Sequence, residues 1–340
     1  MTDFDPNGAA LGDNIYGLPF DADQASQVIL PVPWEATVSY GMGAADAPSA
    51  VLQASKQVDL FDPDVPDAWR LGLAVDSAPE HIVELNTRVR AEVKKHLKAL
   101  ETGGERPELL AQINRDCEIV NTWVRERSRQ LLDQGKLVYV LGGDHSAPLG
   151  LLQELAARQE FGILHVDAHA DLRIAYEGFE YSHASIMYNV QKLSNVTAIA
   201  QVGIRDYCEE ELQVAAASNG RIKMFTDREI QSRLFEGEPW KRICKDIIDH
   251  LPERVYVSFD IDGLDPQLCP GTGTPVPGGL QFEQSLYMIR EVVRSGRRLI
   301  GLDLCEVSPG DDEWDANVGA RLLYRMANLV AHSNRLQPVG

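Results

Sequence analysis

Short runs that are apolar nearly throughout alternate along this chain with longer stretches in which apolar residues recur every three or four positions. The runs Val28–Val32, Leu71–Val75, Leu137–Leu141, Gly162–Val166, Ala198–Ile204, Ile222–Phe225, Arg254–Phe259 and Leu299–Leu304 read as strands covered on both faces. The periodic stretches Pro79–Leu100, Leu109–Gln134, Pro148–Arg158, Trp240–Leu251, Phe282–Ser295 and Glu313–Ser333 read as helices. Strand and helix in turn make βαβ units, so the predicted class is α/β, a parallel sheet sandwiched between helices. No repeat, low-complexity tract or linker divides the chain, and Glu101–Pro107 reads as a helix-breaking turn. The expected organisation is an irregular N-terminal arm over 1–27 followed by one domain over 28–340.

Composition narrows the partners. With 44% hydrophobic and 24% charged residues in 340, the chain has ample material for a large core. Its 32 Lys and Arg against 51 Asp and Glu leave a net charge of -19. Neutralising phosphates needs clustered cations, so this balance argues against nucleic acid and gently favours a cationic small molecule. The five cysteines are scattered, without paired spacing, which speaks against a zinc knuckle or a disulfide framework and suits a reducing compartment. Neither a basic, apolar leader nor a membrane-length apolar run is present, so a cytoplasmic location and no membrane partner are expected.

Ligands of open parallel sheets sit beyond the carboxyl ends of the strands. Three strand ends here carry chemistry: Gly142-Gly143-Asp144-His145-Ser146, Asp167-Ala168-His169-Ala170-Asp171, and Asp260-Ile261-Asp262-Gly263-Leu264-Asp265-Pro266. Spacing of two keeps side chains of extended chain on one face. The six foremost groups are two imidazoles, His145 and His169, and four carboxylates, Asp167, Asp171, Asp260 and Asp262. Four carboxylates crowded together raise one another's pKa steeply unless cations intervene. A thiolate-free, carboxylate-rich set favours Mn²⁺ or Mg²⁺, with imidazole tilting the choice to a transition metal. Six donors exceed one tetrahedral site, and shared carboxylates can hold two ions about 3.5–4 Å apart. His165, inside its strand, reads as core filler and not as a ligand, pointing away from Asp167's neighbours. Asp144 and Asp265 read as turn or supporting residues.

These segments, GGDHS, DAHADLR and SFDIDGLDP, resemble the arginase/agmatinase (ureohydrolase) family, and the likeness runs from about Val28 to the C-terminal helix. The resemblance implies a three-layer α/β/α sandwich around a mostly parallel eight-stranded sheet. It further implies two divalent ions, manganese first and others such as Ni²⁺ second, and a homo-oligomer, trimer or hexamer. On the matching positions, His145 and Asp171 would bind one ion and His169 and Asp262 the other, with Asp167 and Asp260 bridging. Glu306 matches the glutamate that faces the guanidinium, Thr274 the substrate-side loop, and His183 the catalytic histidine. The implied reaction is hydrolysis of a guanidino C–N bond to release urea. The ions would lower the pKa of a bound water towards about 7, and Asp171 and His183 would move protons.

One stretch departs from arginase. After its Asp-x-His-x-Asp, arginase carries small polar residues that hold the substrate's amino-acid end, whereas this chain reads Leu172-Arg173-Ile174-Ala175-Tyr176-Glu177-Gly178. The agmatinase-like branch is therefore expected, with a substrate other than arginine. Arg173 at the rim would repel a cationic tail unless Glu177 or Glu180 intervenes. It would suit a guanidino acid such as 4-guanidinobutyrate, and a constricted pocket would suit guanidine. Two remoter classes stand beside these: a metal-bearing pseudoenzyme, and an amine deacetylase with one zinc.

Overall fold

The computed structural model describes residues 4–310 and 312–339. Eight strands form one sheet: β1 (Gln27–Val32), β2 (Leu73–Val75), β3 (Leu137–Gly142), β4 (Phe161–Val166), β5 (Val196–Ile204), β6 (Ile222–Thr226), β7 (Arg254–Asp260) and β8 (Arg298–Cys305). All pairings are parallel, in the order β2-β1-β3-β8-β7-β4-β5-β6. Helices follow the strands and flank the sheet: α1 (Ala47–Ala54), α2 (Glu80–Glu101), α3 (Pro107–Asp133), α4 (Leu149–Ala156), α5 (Ile186–Val190), α6 (Glu209–Ala217), α7 (Asp227–Phe235), α8 (Trp240–Asp249), α9 (Phe282–Arg294) and α10 (Trp314–Ser333).

The strands are continuous in apolar character because both faces are covered. In β4 all six residues are buried, and in β7 all but Arg254. The helices show the opposite pattern: α8 buries Ile243, Cys244, Ile247 and Ile248 on one stripe, while Lys241, Arg242 and Lys245 lie outside it. Truncating one fully buried strand residue such as Leu164 to Ala would cost about 2–5 kcal/mol.

Each expected strand and helix is present, with small differences at the ends. Leu71 belongs to a 3₁₀ turn, Ala68–Leu71, because Gly72 at φ 69 turns the chain before β2 begins. Four helices, α1, α5, α6 and α7, are not legible as periodic stretches. Two are short, and α6 and α7 bury so little that no apolar stripe forms; α6 buries only Glu211. Residues 4–26 carry one helical turn, Ile15–Gly17, and the buried Tyr16 hydroxyl donates to Ala320 O at 2.8 Å, pinning this segment to α10. No helix among the described residues is long and apolar enough to cross a membrane.

The strand order sets where a ligand can bind. The chain passes from β3 to β4 across a gap later filled by β8 and β7. The four central strands β3, β8, β7 and β4 therefore present their carboxyl ends side by side, where the direction of winding reverses.

Candidate metal centre

Each central strand delivers one part of the site. Beyond β3, Gly143 N donates to Val32 O and Asp144 N to Trp34 O, which folds the loop back over β1. A Cβ on Gly143 would lie 1.8 Å from Trp34 O, so only glycine permits this approach. The turn is closed by Asp144, whose Oδ1 accepts from Ser146 N at 3.0 Å and from its hydroxyl. His145, fully buried, is thereby aimed across the strand ends.

Beyond β4, the Asp167–Asp171 segment turns sharply, and Asp171 adopts φ 54, in the left-handed region. Glu306, just past β8, sits at φ 62. Two non-glycine residues in that region at one site mark backbone held by its surroundings against local preference. Beyond β7, Asp260 Oδ1 accepts from Asp262 N at 2.8 Å, and Asp262 Oδ1 accepts from Ala168 N at 3.0 Å. That last bond ties the β7 end to the β4 end.

These elements bring the six expected donors together. His145 Nδ1 lies 3.0 Å from Asp167 Oδ2, 3.1 Å from Asp171 Oδ2 and 3.4 Å from Asp260 Oδ2. His169 Nδ1 lies 3.4 Å from Asp167 Oδ1 and 3.1 Å from Asp262 Oδ2. The two oxygens of Asp167 thus face two different imidazoles. Three donor groups with atoms within 4.8 Å of one another emerge among the described residues: His145, His165, Asp167 and Asp171; Asp167, His169 and Asp262; and His145, Asp303 and Cys305. Asp167 belongs to the first two.

The electrostatics of the bare side chains point to cations. Burial, then the charge of Asp167, pushes Asp171 up to about 7. Burial with Asp262 and Asp167 raises Asp260 well above the carboxylate range. Burial works against charge on His145 and His169, yet the carboxylates around them win: His145 is raised well above its ordinary value and His169 to about 12. Burial works against charge on Asp167 as well, yet His165, His145 and His169 facing it hold it well below the ordinary range. The protons of the cluster therefore gather on the groups around Asp167, as in an anionic nest that lacks positive charge. Its nitrogen and oxygen donors, free of thiolate, fit a pair of divalent ions.

Around the cluster, Glu306 is buried and its Oε1 accepts from His145 N at 2.9 Å. Burial and the nearby Asp144 hold its carboxyl well above the ordinary range. Thr272 Oγ1 donates to Glu306 O at 2.9 Å, and Thr274 Oγ1 to Asp262 Oδ2 at 3.4 Å. A cavity of about 280 Å³ opens over this edge, lined by His169, Asp171, Arg173, His183 and Thr274 together with Tyr40, Tyr176, Asp206 and Glu211. Burial, then His169 and His145, lowers His183 to about 4, so it stands neutral at physiological pH. Its Nδ1 has no partner among the described residues.

Two expectations need correction. His165 does not turn away from the cluster: its Nε2 lies 2.8 Å from Asp167 Oδ2, because residues two apart on extended chain share a face. The carboxylate beside Arg173 is neither Glu177, which accepts from the Ser39 hydroxyl, nor Glu180, which is exposed. It is Glu211, 3.9 Å from Arg173 Nε and buried, whose oxygens accept from Leu172 N and Cys208 N at 3.0 and 2.9 Å. Motifs alone miss Glu211 and Asp206, which belong to no strand-end signature of their own. Their signal is position, since Asp206 and the acidic start of α6 follow β5 directly.

A model of the arginase family matches residues 25–328. The chain is 32% identical over 308 residues to the N(1)-aminopropylagmatine ureohydrolase of Thermus thermophilus, covering 90% of this chain and 91% of that one. It is 26% identical to the agmatinase of Bacillus subtilis, over 89% and 91% of the two chains. Among solved structures, the agmatine ureohydrolase of Thermoplasma volcanium aligns over 96% of both chains with a TM-score of 0.72 and 21% identity, a likeness of fold.

Proposed function

This chain belongs to the arginase family and is a metal-dependent ureohydrolase of the agmatinase-like branch, and from that premise we propose that its substrate is a guanidino compound with a cationic tail. His145, Asp167, His169, Asp171, Asp260 and Asp262 would hold the ions, with manganese the first ion to test. When bound, the ion pair supplies Lewis-acid activation of water at neutral pH.

The chain's own residues do the rest. A guanidinium carbon is a poor electrophile because its charge is delocalised, and the group stays protonated in water. Glu306 meets that charge: one oxygen is committed to His145 N, and the other, Oε2, is left to pair with the planar cation. An arriving guanidinium also lowers the raised pKa of Glu306, so binding and ionisation of this carboxyl reinforce each other. Asp171, at the cluster edge and lining the cavity, can take a proton from the attacking water and hand it to the leaving amine, which must gain one to depart. His183, neutral and lining the cavity, can relay a further proton between the site and solvent.

The observation that carries the tail assignment is the pairing of Arg173. Its guanidinium lies beside Glu211 and 5.0 Å over the Tyr176 ring, so its charge is already met inside the protein. Asp206, exposed in the cavity wall, keeps its carboxylate free of any side-chain partner among the described residues and faces whatever enters. A carboxylate-tailed substrate would meet an Arg173 already beside Glu211 and would have to tolerate Asp206. A cationic tail meets Asp206 directly. The two relatives, whose names carry agmatine-type substrates, agree with this choice.

The test is urea release from agmatine, N(1)-aminopropylagmatine, 4-guanidinobutyrate, guanidine and arginine, side by side on the manganese-loaded protein. Highest kcat/KM on a cationic-tailed compound is expected, with loss of activity in chelator and in Asp260→Asn. Preference for 4-guanidinobutyrate would overturn the tail assignment. Turnover of none, with metal bound, would favour a pseudoenzyme.

A further inference from the structure

Next to the cluster, and absent from the cavity lining, lies a line of buried polar groups that runs through two residues the proposed chemistry does not use, Gln201 and His165. Gln201 on β5, His165 on β4 and Asp167 beyond β4 are all fully buried. The parallel register sets His165 directly opposite Gln201. Gln201 Nε2 lies 2.6 Å from Ala170 O and 3.0 Å from His165 Nδ1, and His165 Nε2 lies 2.8 Å from Asp167 Oδ2.

The hydrogens along this line can be assigned from its two ends. A backbone carbonyl only accepts, so the Gln201 amide must present its nitrogen to Ala170 O, and the orientation of that amide is fixed. The same nitrogen then donates its second hydrogen to His165 Nδ1, which must accept. A neutral imidazole accepting at Nδ1 carries its hydrogen at Nε2. That hydrogen points at a carboxylate oxygen. His165 therefore has no lone pair to offer an ion, although it lies among the donors.

We infer that His165, locked in one tautomer by Gln201, is a positioning residue that sets the plane of the shared carboxylate Asp167. With Oδ2 held by His165 and Oδ1 accepting from His169 N at 2.6 Å, the carboxylate cannot rotate. Its oxygens are kept towards His145 on one side and His169 on the other. Supporting partners of this kind typically alter metal affinity by about 10–100-fold when removed. The inference rests on the two-ion reading of the cluster.

The test is Mn²⁺ binding to the full-length protein, stripped and then titrated in competition with a chromogenic chelator, with the electron paramagnetic resonance of the loaded pair as a second readout. His165→Phe keeps a ring and removes the donor. It is expected to weaken Mn²⁺ binding by about 10–100-fold and to change the pair's spectrum. His165→Gln, whose amide nitrogen reaches the position of Nε2, is expected to restore most of the affinity, and Gln201→Leu to fall between. Wild-type affinity and spectrum in His165→Phe overturn the inference, as does a His165→Gln as weak as His165→Phe. If His165→Phe does not fold, Gln201→Leu decides: unchanged binding and spectrum overturn it. Wild-type protein that binds no divalent ion overturns the metal reading itself, whereas binding that ignores His165 overturns this inference alone.

Discussion

The two halves of the cluster are built from the same residue types and held in different ways. His145 is fully enclosed, its Nδ1 ringed by Asp167, Asp171 and Asp260, and its Nε2 lies 2.9 Å from Ser258 Oγ, which itself donates to the buried Asp303 at 3.2 Å. His169 keeps 24% of its side chain exposed and lines the cavity, and its Nε2 has no protein partner among the described residues. The inner half is anchored by the core of the sheet, while the outer half borders solvent and substrate. Orientation is therefore built into the fold on one side, and access is kept on the other. That division is what a hydrolase needs when water and a cation must reach a fixed pair of ions.

The sharpest way to break this comparison is to delete each imidazole in turn. His145→Ala leaves three carboxylates facing one another in a sealed space, and breaking such a buried pairing costs about 3–5 kcal/mol. His169→Ala opens onto the cavity, where water can solvate Asp262, and a smaller loss is expected. Urea unfolding of both metal-free variants measures the difference. Equal losses would mean that the two halves are not mechanically distinct.

Acidity gives a second, smaller contrast. In the metal-free fold His169 is raised to about 12 by Asp262 and Asp167 despite its burial, against about 6.5 in the unfolded chain. A raised group stabilises fully below its unfolded pKa and loses that contribution as pH climbs through the folded value. Between pH 7 and 9 the fold keeps a proton that the unfolded chain has released, so stability falls with pH, by up to about 1.4 kcal/mol per unit for this group. Asp171, raised to about 7, has the same sign, but its decline is nearly over by pH 8. Bound ions replace these protons, so the manganese-loaded protein should gain stability over the same range. Unfolding at pH 7, 8 and 9, with chelator and with Mn²⁺, tests the pair of slopes. A flat metal-free profile contradicts the picture, and His169→Ala should shrink the slope.

The inner half is legible in the sequence and the outer surroundings are not, for physical reasons. The strand-end motifs of β3, β4 and β7 are local: an apolar run fixes the strand, and the next few residues must lie at the sheet's edge. Both His145 and Asp260 can be placed that way. His165 misleads, because its apolar setting suggests core while the two-residue alternation of the strand puts it with Asp167. Glu211 and Asp206 depend on where β5 and α6 fall relative to Arg173, and α6 has almost no buried stripe to reveal it. Long-range pairing such as Arg173 with Glu211 leaves no trace in spacing. The groups beside the tail thus emerge only from the fold, while the reacting centre does not need it.

The smallest expected effect lies at the outermost point of the outer half. Asp206 is exposed, so a charge contact there acts through water and is worth about 1 kcal/mol at 4 Å. For a cationic-tailed substrate such as agmatine, Asp206→Asn should raise KM about fivefold and leave kcat nearly unchanged, because the tail is bound equally in the ground and transition states. Guanidine, which has no tail, should show no change. Raising the ionic strength to about 1 M shortens the screening length to about 3 Å and should erase most of the difference. Arg173→Ala should move agmatine's KM the opposite way, since it frees Glu211 to face the tail. If Asp206→Asn affects guanidine as much as agmatine, the residue supports the cavity wall and reads no tail, and the division between a core-held inner half and a substrate-reading outer half ends at His169.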